Sequence, residues 1–202
     1  MDDRVPSMLK DTLELAYLTI VRPGQGVRIA VRFLNTSPIV RLECLLLIAI
    51  LGTLATTLTV QLAPAMQDGA TELLIASPIN LTIIQIATMF IVAGFIFGVG
   101  KVFGGTGSFQ ECLGAIIWLQ AMLLIVQLAQ LVSVLVFPPI TSLVTFGGLG
   151  IAFYLVISFI KEIHGFRSGL AVVMGVILTL FLIALTIVAF LPMVGFQPGV
   201  GG

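Results

Sequence analysis

From residue 112 to residue 160 the chain carries no charged side chain, and the only interruption of this apolar run is Pro138-Pro139. A run of that length has few places to go. In water it would have to be buried on every side, whereas in a bilayer a helix satisfies its own backbone and exposes only apolar side chains. The other charge-free gaps are shorter but similar: Glu43 to Asp68, Glu72 to Lys101, and everything after Arg167. A hydrocarbon core of roughly 30 Å takes about 20 apolar residues as a helix. Read this way, the long run holds two spans joined by a short turn, and the chain predicts five: 38–62, 79–100, 109–136, 140–160 and 169–191. A mean hydropathy of +1.22 with 9% charged residues fits an integral membrane protein and leaves no room for a second domain. The expected fold class is all-α: a polytopic bundle of five transmembrane helices. Residues 1–37 precede it and residues 192–202 form a short tail.

The basic residues then predict orientation. Six of the nine stand at or before the start of the first span (Arg4, Lys10, Arg22, Arg28, Arg32, Arg41), Lys101 follows the second, and Lys161 and Arg167 follow the fourth. The opposite side holds none, only Asp68 and Glu72. By the positive-inside rule the N-terminus is expected in the cytoplasm and the C-terminus on the other side of the membrane. Ala63-Pro64-Ala65 has the small-x-small look of a cleavage site. The apolar run before it is too long and proline occupies the site, so 38–62 reads as a true span.

Ahead of the first span, Leu9, Leu13, Ala16, Tyr17 and Ile20 recur at helical spacing while Lys10, Asp11 and Glu14 lie off that stripe. This predicts an amphipathic helix on the membrane surface, ended by Pro23-Gly24. A second helix would carry Val27, Val31 and Leu34 on one side and Arg28 and Arg32 on another. Four arginines and no acid between residues 22 and 41 make a field suited to anionic head groups or a partner, though ordinary topogenic charge explains them as well. Ser37-Pro38, Ser77-Pro78 and the Ser108/Glu111 capping box mark the starts of the first three spans.

Chemistry is sparse. No ionisable group lies deep in a span, where it would call for a functional reason. GVGKVFGGTGSF (98–109) has the wrong order for a phosphate loop and reads as a flexible turn. Cys44 and Cys112 read as small packing residues. Gly147, Gly148, Gly150 and Gly175 are expected at close helix contacts. Gln120, Gln127 and Gln130 fall on one sector of the third span, with Gln85 in the second. They read as interhelical hydrogen bonds first and as a polar seam lining a solute path second. A lone histidine, His164, has no partners for metal or acid–base work and reads as a packed residue. No enzyme activity, cofactor, metal or nucleic-acid partner is expected.

Three segments, TIVRPGQGVRIAVRF (19–33), GGTGSFQECLGAIIW (104–118) and FYLVISFIKEIHGFRSGLAVV (153–173), resemble the Ypt-interacting-protein (Yip) family, with the likeness running from about residue 20 to residue 191. Its eukaryotic members are linked to Rab-type GTPases and vesicle traffic through a long N-terminal region. Here only residues 1–37 precede the first span, and the Asp-x-Tyr-Gly-Pro signature is missing, so Rab binding is not carried over. The compact form resembles the bacterial branch and implies an inner-membrane protein, with the C-terminus then in the periplasm. By position, His164-Gly165-Phe166 and Ser168-Gly169 match the family's turn between the last two spans, which implies packing or partner docking there. Together these features predict a membrane-organising, trafficking-like or interaction protein in the bilayer, with Arg22, Arg28, Arg32, His164 and Arg167 as contacts to lipid head groups or to a membrane-protein partner, a second copy included. A small permease using the glutamines and an accessory subunit of a larger complex are the rivals.

Overall fold

A computed structural model describes residues 4–62 and 77–190. Seven α-helices account for nearly all of them: α1 (Arg4–Val21), α2 (Pro23–Leu34), α3 (Pro38–Leu62), α4 (Pro78–Val102), α5 (Phe109–Val136), α6 (Thr141–His164) and α7 (Gly169–Phe190). A three-residue 3₁₀ turn, Pro138–Ile140, joins α5 to α6. Asp68 and Glu72, and the 192–202 tail, lie outside the described residues.

The start signals are realised as local chemistry. Ser77 accepts a hydrogen bond from the Asn80 amide, with Pro78 at the first helical position. Ser108 accepts from the Glu111 amide at 3.2 Å while the Glu111 carboxylate accepts from the Ser108 amide at 2.7 Å, a complete capping box. Ser37 accepts from the Ile39 amide at 3.2 Å, again with proline opening the helix.

Four stretches are long and apolar enough to cross a membrane: Pro38–Leu62, Pro78–Val102, Phe109–Val136 and Pro138–His164. At about 1.5 Å per residue, the 25 residues of α3 reach beyond a hydrocarbon core of roughly 30 Å. Helix α7 has 22 residues, but the apolar stretch recognised within it, Val172–Thr186, is shorter than in the other four. Leu143 and Phe146 are 69% and 72% exposed, and they have company along every long helix. An apolar surface on this scale needs lipid against it.

Helix α5 is the axis of the bundle, packing against α2, α3, α4 and α6, while α7 lies against α4 and α6. Its first turns are buried all round, from Cys112 through Ile117, and they meet Leu45, Met89, Ala93, Leu155 and Phe159 from the neighbouring helices. The expected glycine contacts divide. At Gly148 a Cβ would collide with the Val126 side chain, and at Gly175 it would touch Val99 at 3.8 Å. Gly147 and Gly150 meet nothing within 4 Å and face outward, so their presence is not explained by close helix approach.

Candidate functional site at the junction of α2, α5 and α6

The N-terminal helices are tied to the bundle. Helix α1 ends at Val21 and Pro23 opens α2, as the Pro23-Gly24 break predicts. At the corner, Thr19 is fully buried: its hydroxyl donates to the Leu15 carbonyl at 2.7 Å and accepts from the Trp118 indole N–H at 3.1 Å. Gly26 permits this approach, since a Cβ there would lie 2.6 Å from the Thr19 Cα. Helix α2 turns Val27, Ala30, Val31 and Leu34 inward, and Val31 meets Gly114 of α5. The inward face is therefore the one its periodicity predicts, and its cover is protein.

On α1 the stripe behaves differently. Ala16 is buried, but Leu13, Tyr17 and Ile20 are 58%, 71% and 50% exposed. Ile29 and Phe33 of α2 are exposed as well. An exposed Lys10–Glu14 pair at 3.8 Å adds little to α1, as solvent-screened pairs do.

Two glycine turns close the same end of the molecule. Helix α4 finishes with Gly104 at φ +78°, the Gly104 amide bonding the Lys101 carbonyl and the Gly105 amide bonding the Gly100 carbonyl. Helix α6 finishes with Gly165 at φ +67°, where the amides of Gly165 and Phe166 both reach the Lys161 carbonyl. Such left-handed endings satisfy carbonyls that a helix would otherwise leave bare. The turns are locked together: the Thr106 amide and hydroxyl donate to the His164 carbonyl at 3.2 and 3.4 Å, and Lys101 Nζ donates to the Thr106 carbonyl at 3.4 Å.

Inside this lock sits His164, 2% exposed. A Cβ on Gly100 would overlap its ring, one on Gly105 would lie 2.5 Å from Nδ1, and one on Gly107 would lie 3.0 Å from Cε1. Nε2 lies 3.7 Å from Cys112 Sγ, Phe166 stacks on the ring at 5.4 Å, and Nδ1 has no hydrogen-bond partner among the described residues. The 98–109 segment, expected to be a flexible turn, is thus an ordered lid whose glycines make room for an imidazole. Sequence reasoning read the glycines as freedom because their partner lies far along the chain.

Beside the histidine, α2, α5 and α6 enclose a cavity of about 210 Å³ with a floor of Val27, Val31 and Ile163. Arg28, Arg32, Glu111 and Glu162 line it. Arg28 pairs with Glu162, which is more buried than the arginine, and the same carboxylate lies against the place a Cβ would occupy on Gly24. Arg32 forms no ion pair among the described residues. Of the expected contact residues the structure therefore brings Arg28, Arg32 and His164 to one junction, while Arg22 and Arg167 are exposed outside it. Glu111 was read from the sequence only as a capping-box partner, and Glu162, Thr19 and Trp118 were not singled out. The available signal was a carboxylate placed two residues before His164 at the very end of an apolar run.

The glutamines do not converge. Gln130 Nε2 donates to Thr145 Oγ1 on α6 at 3.2 Å, an interhelical hydrogen bond, and Ser133 adds a second at 3.1 Å to Thr141. Gln127 turns toward Gly52 of α3, with its Oε1 buried and unpartnered among the described residues. Gln85 and Gln120 are half-buried and their side chains form no hydrogen bond there.

The described residues are nearly all helical, and four apolar helices of spanning length that carry charges only toward their ends make this an integral membrane protein. The family model for the Yip1 domain matches residues 27–190, so the chain belongs to the Yip family. Neither a curated protein nor a solved structure matches it. The three sequence segments that carry the resemblance supply α2, the glycine lid with the start of α5, and the end of α6, and they meet at this junction.

Proposed function

We propose that this Yip-family protein is a non-enzymatic organiser of the membrane in which it sits, crossing it five times with the N-terminus in the cytoplasm and presenting its basic end to the bilayer surface and to a membrane-protein partner. The observation that carries this reading is the α1–α2 pair: clamped to α5 through Thr19 and Trp118, yet leaving Leu13, Tyr17, Ile20, Ile29 and Phe33 exposed beside Arg22 and Arg32. Helices so mounted suit the boundary between head groups and acyl chains, where apolar faces sink and arginines stay with phosphates. In a bacterial inner membrane the same face is the one a cytoplasmic or membrane partner meets.

Two measurements on the full chain test this. With Tyr17 replaced by Trp and Trp118 kept, lipids brominated near the top of the acyl chain are expected to quench the new indole strongly, read as the difference from the parent chain whose lone indole is Trp118. Quenching by aqueous iodide alone would remove α1 from the membrane surface. A topology reporter joined after Gly202 is expected to report the side opposite the N-terminus, as an odd number of spans requires. Both ends on one side would leave four spans.

A further inference from the structure

The lining of the 210 Å³ cavity has an unusual charge pattern: two arginines and two glutamates around an apolar floor. One water needs about 10–15 Å³ of such space, so the cavity has room for a far larger polar group. An anion entering it would meet Glu111 and Glu162, and a cation would meet Arg28 and Arg32. A ligand carrying both charges meets neither penalty.

The existing bonds leave capacity for such a ligand. Arg32 has no carboxylate partner among the described residues, so its guanidinium is available for a phosphate. Both bonds that Glu111 accepts within the capping box fall on Oε2. Its carboxylate has more acceptor positions than those two bonds use. The Arg28–Glu162 pair lies between, able to exchange one partner for a ligand charge of the same sign. The depth also fits. Glu111 stands in the first turn of a 28-residue apolar helix and Glu162 in the last turn of α6, which is head-group level for bundles of this length. Just outside, Phe33 and Ile29 are 58% and 48% exposed and offer acyl chains an apolar surface next to Arg32.

We propose that the cavity between α2, α5 and α6 holds the zwitterionic head group of an aminophospholipid, with the phosphate on Arg32 and Arg28 and the primary ammonium on Glu111 and Glu162. The lipid of this chemistry is a phosphatidylethanolamine. Phosphatidylcholine places methyl groups where the carboxylates need N–H donors. Phosphatidylglycerol brings a net negative charge to two glutamates. Only the placement of this end at the membrane surface is shared with the function proposed above, and the quenching measurement tests that placement separately.

The test is native mass spectrometry of the full chain, stripped stepwise in detergent from an equimolar mixture of the three phospholipids. One phosphatidylethanolamine per chain is expected to persist, with about tenfold preference over either competitor. Arg32→Gln and Glu111→Gln are each expected to reduce its retention about tenfold, the size of one lost charge-assisted hydrogen bond. Glu111→Gln keeps the capping box, because glutamine fills the same role, so loss of lipid would not reflect loss of the helix start. Gln127→Leu, in the other half of α5 and outside the cavity, is expected to change nothing. Equal or better retention of phosphatidylglycerol, or unchanged retention in both cavity variants, would overturn the proposal. So would calorimetric binding of soluble O-phosphoethanolamine by a chain that retains no phosphatidylethanolamine, since the ligand would then be a free phosphate ester.

Discussion

The two ends of α5 are built on opposite plans. At its start six consecutive residues, Cys112 to Ile117, are buried, and glycine turns, a capping box and a histidine lock neighbouring helices around them. At its end Leu135 and Val136 are 60% and 76% exposed, and an apolar recess of about 470 Å³ lies between Leu128 and Ile140. Helix contacts there rest on small hydrogen bonds among Gln130, Ser133, Thr141 and Thr145. The contrast teaches where specificity is stored. The lipid-facing end needs only apolar surface and a tight Pro138 turn, which many sequences satisfy, whereas the basic end needs particular side chains at particular distances.

Substitution of glycines should expose this contrast most strongly. Gly100→Val drives a side chain into the His164 ring and is expected to cost about 1–3 kcal/mol in a reversible mixed-micelle unfolding titration, the range for overpacking. Gly147→Ala, in a helix with open space around it, should be neutral or stabilise by about 0.5–1 kcal/mol. Equal responses would mean the two ends are equally tolerant. A smaller effect is expected for Trp118→Phe, which removes one hydrogen bond to buried Thr19: about 1 kcal/mol, read as faster amide exchange in α1 and α2 while α6 is unchanged. Smallest are the glutamines. Gln130→Leu should cost about 0.6 kcal/mol, typical of an interhelical hydrogen bond in a membrane. Gln127→Leu should cost nothing, because the acceptor it removes is unpartnered among the described residues. A cost at Gln127 equal to that at Gln130 would show that a water or solute satisfies it.

Much of this architecture was legible in the sequence because its causes are local. Ser77-Pro78 and Ser108 with Glu111 act within four residues, so the helix starts could be read from neighbours alone. The inward face of α2 followed from the spacing of Val27, Val31 and Leu34. The junction was not legible in the same way. Gly100, Gly105 and Gly107 looked like freedom until His164 arrived from the end of α6, and Arg28 looked available to lipid until Glu162 was beside it. Gln120, Gln127 and Gln130 of α5 share a sector by count, yet sixty degrees of helix rotation separates Gln127 from Gln130. That angle is enough to give one to α3 and the other to α6. Side-chain periodicity names a face but not the neighbour that will cover it.

The bond between Thr19 and Trp118 spans 99 positions of sequence, and the Arg28–Glu162 pair spans more. Synthesis runs from the N-terminus, so α1 and α2 leave the ribosome long before any surface exists to receive them. Until α5 supplies Trp118 and Gly114 they have little but each other and the membrane surface, and Arg28 waits longer still for Glu162 of α6. Assembly therefore ends where translation began, and the first helices made are among the last to dock. A chain halted before residue 162 would have its apolar hairpins inserted and its basic end still open.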